Sequence, residues 1–194
     1  MKSSSRVLCA ALLALTAALP LRAQDQSAFI TDFLGQVEYA QRQILALEEA
    51  VPQEKYAWRP AEGVRSIGEV YRHLTQGNYY LMQIAGIQPP ADVNIMVEEK
   101  KWETAVTDKA GIASALVKSF EHVKSSTAKM TDADLAVMVD FFGNRVTKRS
   151  ALMSTLNHMH EHLGQAIAYA RMNGIVPPWT AAEMAKQAEK EKGK

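Results

Sequence analysis

Five histidines are the residues here best suited to chemistry, and two of them, His158 and His162, stand four apart in a stretch of helical character. That spacing puts both imidazoles on one helix face, one turn from each other. Such a pair can grip one divalent ion at about 2.0–2.1 Å per nitrogen. His160 lies about 200° round the same helix and cannot join them, so it is expected on the solvated side. A third ligand must come from another helix. His73 flanks its helix's apolar stripe as His158 flanks its own, and His122 is the rival. Spacing alone leaves two readings open, a metal site or an ordinary pair of surface histidines.

Other sites built on these residues fail on pattern. His160-Glu161-His162 opens like the HExxH zinc motif, but Gly164 stands where the second histidine belongs. His158-Met159-His160-Glu161-His162 satisfies the inverted HxxEH form, yet that form belongs to a larger mixed fold with a distant acidic ligand. No histidine has a glutamate three residues before it, as a carboxylate di-iron bundle requires. The single cysteine, Cys9, excludes a Cys-x-x-Cys-His haem site.

The N-terminus reads as a secretory signal peptide, residues 1–23. Lys2 and Arg6 precede the apolar run Val7–Leu19, and Pro20 and Ala23 mark its end and a cleavage point. The run is too short for a membrane span, and no lipid-anchoring pattern precedes Cys9. The expected product is exported, periplasmic or secreted, and lacks cysteine, as suits an oxidising compartment. Loss of three basic charges takes the formal net charge from +1 to −2. There is no basic stripe for nucleic acid and no polybasic patch for a membrane surface.

The elements that must position the histidines are helical. Apolar residues recur at helical spacing over Gln26–Ala50 (Phe29, Phe33, Val37, Ala40, Ile44, Leu47), Ser66–Gly86 (Ile67, Val70, Leu74, Leu81, Ile84), Lys109–Lys129 (Ile112, Leu116, Phe120, Val123) and Thr147–Met172 (Leu152, Leu156, Met159, Leu163, Ala166, Ala170). Ser66 and Glu69 form a capping-box pattern. Gly77, one turn from His73, leaves room for a ligand or a close helix contact. No stretch alternates with the period of a strand. The expected fold is all-α, a four-helix bundle over residues 24–179 with long crossover connections and a charged tail, 180–194, forming a short exposed helix.

Longer motifs carry a family resemblance. Tyr56-Ala57-Trp58-Arg59-Pro60, then Gly63-Val64-Arg65-Ser66-Ile67-Gly68-Glu69 with His73, resembles the opening pattern of the DinB/YfiT-like superfamily. So does His158-x-x-x-His162-x-Gly164-Gln165, followed by Ala170-Arg171, Gly174 and Pro177-Pro178. The resemblance runs from about Gln26 to Trp179. It implies a four-helix bundle whose three histidines, here His73, His158 and His162, bind a divalent metal such as nickel or zinc. Members often carry two histidines before the Gly-Gln pair; here the first of those positions is Glu161. Better-understood relatives are thiol-dependent transferases and isomerases, and others are described as metal hydrolases. Those thiols are chiefly cytoplasmic, which lowers the transferase expectation for an exported chain.

The expected function is therefore that of a metal-dependent enzyme, a hydrolase or thiol-dependent transferase acting on a small molecule. Three imidazoles leave a coordination position open, where the ion would act on a water, a thiol or a substrate oxygen. They suit zinc and nickel and also iron and copper. Glu69, Tyr80 and Gln165 are candidates for catalysis, for substrate contact or for supporting the ligands, although Glu69 is also required by its cap. Trp58 either lines the pocket mouth or staples its loop to the bundle. The alternatives are a non-catalytic metal-binding envelope protein and a scaffold, and a homodimer is expected of such a bundle.

Overall fold

Ser27 opens the first helix, donating its backbone N–H to Met130 O at 3.1 Å and its hydroxyl to Asp132 Oδ1 at 2.6 Å. The computed structural model describes residues 27–93 and 108–193. The expected signal peptide and most of the connection after Pro90 lie outside these residues.

Helices α1 (Ala28–Ala50), α2 (Ile67–Ile84), α3 (Lys109–Thr127) and α5 (Lys148–Met172) form one layered core. Between α3 and α5 come a short helix, α4 (Asp132–Ala136), and strands β1 (Met138–Phe141) and β2 (Asn144–Thr147). Helix α6 (Pro178–Lys192) follows and buries no residue, as its Ala/Lys/Glu composition predicts. No described helix is long and apolar enough to cross a membrane.

The apolar stripes explain the packing. Helix α2 packs against α3 and α5, and α1 packs against the same two, so α1 and α2 sit diagonally across the bundle. Both the α1–α2 and α3–α5 connections must therefore cross it. The stripes of α3 and α5 are buried as expected, while on α1 Ile30 enters the core and Phe29 lies at its margin under the Arg149 guanidinium. Tyr71 and Met82 join the core from α2, and Ile84 is only half-buried.

Local chemistry sets the element ends. Ser66 Oγ accepts from Glu69 N at 3.3 Å, and Glu69 Oε2 accepts from Ser66 N at 2.6 Å, completing the capping box. Asp108 and Thr147 cap α3 and α5 through Gly111 N and Ser150 N. The loop before α2 is anchored where the Tyr56 hydroxyl donates to the buried Glu48 carboxylate at 2.5 Å. Burial pushes the Glu48 carboxyl above its usual range, and the Tyr56 hydrogen bond opposes that rise.

The all-α expectation needs one correction. Met138–Thr147 folds as an antiparallel hairpin, with Met138 opposite Thr147 and Phe141 opposite Asn144. Its two-residue turn is Phe142-Gly143, with φ of 53° and 78°. Positive φ at both central positions defines the type I′ turn, whose twist matches that of the strands and whose usual sequence is Asn-Gly. Phenylalanine in the first position hides that signature, which is why the stretch reads as a loop.

Candidate metal centre

His73 projects from α2, and His158 and His162 from successive turns of α5, the helix packed directly against it. The three are brought together as one potential ligand set. His158 Nε2 lies 3.2 Å from His73 Nε2 and 3.1 Å from His162 Nε2. Two imidazole nitrogens sharing one tetrahedral ion at 2.0–2.1 Å stand about 3.3 Å apart. The rings meet at steep angles, between 58° and 77°, so they converge edge-on and do not stack.

Proton bookkeeping favours a cation at this point. Gln165 Oε1 lies 2.8 Å from His162 Nδ1, while Gln165 Nε2 donates to the Tyr169 hydroxyl at 3.1 Å. With its oxygen facing the ring, Gln165 accepts the proton of His162 Nδ1, which leaves His162 Nε2 with a lone pair. A single proton on His158 Nε2 can aim at only one of its two neighbours. A cation among the three nitrogens satisfies all of them, so the donor set fits a divalent metal.

Burial favours the neutral form of the two α5 histidines. It pushes His158 down to about 3, with His162, His73 and Arg65 adding their repulsion. Burial likewise lowers His162, with Arg65 adding to the effect and the Gln165 hydrogen bond and Glu161 opposing it. Neutral imidazole is the metal-binding form. The Arg65 guanidinium is within electrostatic reach of both rings, a relation that its place in the motif before α2 does not reveal.

Gly77 makes room for this geometry. A Cβ there would stand 2.8 Å from His158 Nδ1 and 3.0 Å from Nε2, inside contact distance. Its expected role as a space-maker is met, and the occupant is the His158 ring.

The remaining candidates fall in three places. Gln165 touches His162 directly. Glu69 is engaged in the α2 cap and in an ion pair with Arg59 at 3.1 Å. Tyr80 lies two turns beyond His73 on α2, 44% exposed, with its ring edge-to-face on Phe142. Trp58 packs on the core and meets Tyr169 edge-on at 5.5 Å. It thus staples its loop and also braces the chain from Tyr169 through Gln165 to His162.

His160 and His122 stand apart from the cluster. His160 is half-buried against Tyr39 of α1, ring centroids 6.2 Å apart, where open solvent was expected. His122 lies on α3 against Tyr79, with its Nδ1 3.3 Å from the Ser126 hydroxyl.

Comparison with known proteins agrees with this architecture. The family model for the DinB superfamily matches residues 36–166, well over half of the chain. A crystal structure of a DinB-like protein from Bacillus cereus ATCC 10987 superposes with a TM-score of 0.66 at 22% identity, covering 77% of this chain and 95% of that one. A DinB-like protein from Bacillus subtilis gives 0.55 at 16% identity, covering 74% and 92%. At these identities the likeness is one of fold. No curated protein matches the chain in sequence.

Proposed function

The chain belongs to the DinB superfamily, and from that premise we propose that it is a metal-dependent enzyme acting on a small molecule outside the cytoplasm. Hydrolysis is the reaction favoured, with thiol-dependent group transfer second. The observation that carries the reading is the convergence of three Nε2 atoms, with no carboxylate or cysteine joining the set among the described residues. Three neutral protein ligands are what catalytic sites keep, because structural sites close the fourth position with another side chain.

A divalent ion held by His73, His158 and His162 supplies Lewis acidity toward a water, a thiol or a carbonyl oxygen. The chain's own residues do the positioning. Gln165 holds His162 in the tautomer that presents Nε2, and Tyr169 and Trp58 hold Gln165. The Arg65 charge acts on the His158 and His162 rings and favours their neutral, metal-binding form. The export part of the proposal rests on the N-terminal leader pattern alone.

The test begins with metal content by mass spectrometry on untagged mature protein beside His158→Ala, followed by ester, amide and thiol-transfer assays with the metal found. One ion per chain, lost in the variant, together with turnover, supports the enzyme. A tightly held ion with no turnover on any class would favour sequestration or sensing. No uptake of zinc or nickel would end the metal reading.

A further inference from the structure

Glu48 is a carboxyl group buried among apolar side chains at the end of α1. Its neighbours Ile44, Leu47 and Val51 are buried, and Glu48 itself is only 3% exposed. A buried ionisable group is costly to desolvate, and a well-packed apolar residue of similar volume is often as stabilising or more so. Stability therefore gives no reason for a carboxylate here, and its partners must supply one. Tyr56 from the following loop, Tyr71 from α2, Lys109 from α3 and Glu49 on its own helix are the titratable groups around it. The Lys109 ammonium is bonded to Glu49 O and Val51 O. Among the described residues, Tyr56 supplies the carboxylate's hydrogen bond, donating to Oε1 at 2.5 Å. The Tyr71 hydroxyl is buried with no hydrogen-bond partner among them. Glu48 thus engages the loop tyrosine and leaves the helix tyrosine unserved.

Tyr56 is also fixed from the other side. Its carbonyl accepts from Gly68 N, and that of Trp58 accepts from Ile67 N, both at 3.0 Å, so the loop is tied to the first turn of α2. A Cβ on Gly68 would lie 3.3 Å from Tyr56 Cδ1, so the ring is seated against that turn. With its backbone on α2 and its hydroxyl on α1, Tyr56 sets where Trp58, two residues on, can stand. Trp58 meets Tyr169 edge-on at 5.5 Å. The Tyr169 hydroxyl accepts from Gln165 Nε2, and Gln165 Oε1 faces His162 Nδ1. An unbroken series of contacts therefore joins a carboxylate on α1 to a histidine on α5.

We propose that Glu48 is a positioning residue of the three-histidine site. By holding the Tyr56 hydroxyl it fixes the loop, and through Trp58, Tyr169 and Gln165 it keeps the His162 proton on Nδ1 and the Nε2 lone pair toward the other two histidines. Its consequence for metal affinity rests on the metal reading above; the placement of the proton does not.

The test locates that proton by long-range proton–nitrogen NMR of histidine-labelled, metal-free protein at neutral pH, with zinc affinity measured in parallel. Wild-type His162 should be the Nδ1–H tautomer. Tyr56→Phe and Glu48→Leu should each give a mixture of tautomers and weaken zinc binding by about 3- to 10-fold, less than loss of Gln165 itself. Glu48→Gln keeps an acceptor for the hydroxyl and should retain the wild-type pattern. Tyr56→Phe combined with Glu48→Leu should lose no more than either alone. Tyr71→Phe removes a hydroxyl beside the same carboxylate but outside this series, and should leave both readouts unchanged. A lower melting temperature in Tyr56→Phe, with tautomer and zinc affinity intact, would make Glu48 structural only and overturn the inference. So would an equal effect of Tyr71→Phe, additive losses in the double variant, or a wild-type His162 protonated on Nε2. If Glu48→Leu does not fold, Tyr56→Phe against Glu48→Gln decides. A protein that takes up no zinc overturns the metal reading, and the tautomer comparison still decides this inference.

Discussion

Gly77 on α2 and His158 on α5 are in direct register: the space a Cβ would take at residue 77 is held by the His158 imidazole. Close approach of the two helices and convergence of the three histidines are therefore one feature. Gly77→Ala should gain helix propensity of roughly 1 kcal/mol and spend much of it displacing the ring. The expected outcome is a melting temperature changed by only a few degrees and zinc affinity weakened by at least tenfold, read by competition with a chromogenic chelator. Undiminished affinity would show that the ring has another position from which to bind.

Gln165 orients one ligand without being one. Gln165→Leu removes the acceptor at His162 Nδ1 and should cost about 10- to 100-fold in metal affinity, the usual scale for groups that hold a histidine ligand. Gln165→Glu keeps an acceptor there and should retain most of the affinity. Equal losses in both variants would point to packing rather than to tautomer control.

Acid should weaken the metal-free protein. His158 takes up a proton near pH 6.5 when unfolded and only near 3 when folded, so between those values the unfolded state binds more protons and stability falls as pH is lowered. The His162 shift has the same sign. Urea unfolding of metal-free protein from pH 7.5 to 4 should show that decline, with a shallower slope for His158→Leu. An unchanged slope would mean that other groups govern the acid response.

Metal stoichiometry should separate the five histidines. His158→Ala and His162→Ala should abolish tight binding, and His73→Ala should weaken it strongly. Among the described residues, His160→Ala loses the ring contact with Tyr39, and His122→Ala those with Tyr79 and Ser126. Both should bind one ion per chain by mass spectrometry. Metal loss from His160→Ala as large as that from His158→Ala would contradict the opposed faces of α5.

Much of this protein is determined locally, and local terms can be read from sequence. Helical periodicity placed α1, α2, α3 and α5, because burying an apolar stripe requires that spacing whatever the partner. The Ser66–Glu69 cap involves residues three apart, and the shared face of His158 and His162 follows from 3.6 residues per turn. The family motifs around Trp58, Arg65 and Gln165 added the expectation that His73 completes the set. The hairpin was not legible, because its turn places phenylalanine where asparagine would announce it, and its strands are too short and too exposed to alternate clearly. Only the tertiary structure decided that α1 and α2 lie diagonally, which brings α2 against α5 and His73 to His158. It alone showed that Gly77 makes space for a ring 81 positions away, that Gln165 holds His162, and that Phe142 meets Tyr80. Those relations join residues distant in sequence, and no spacing along a chain encodes which helix face will meet which.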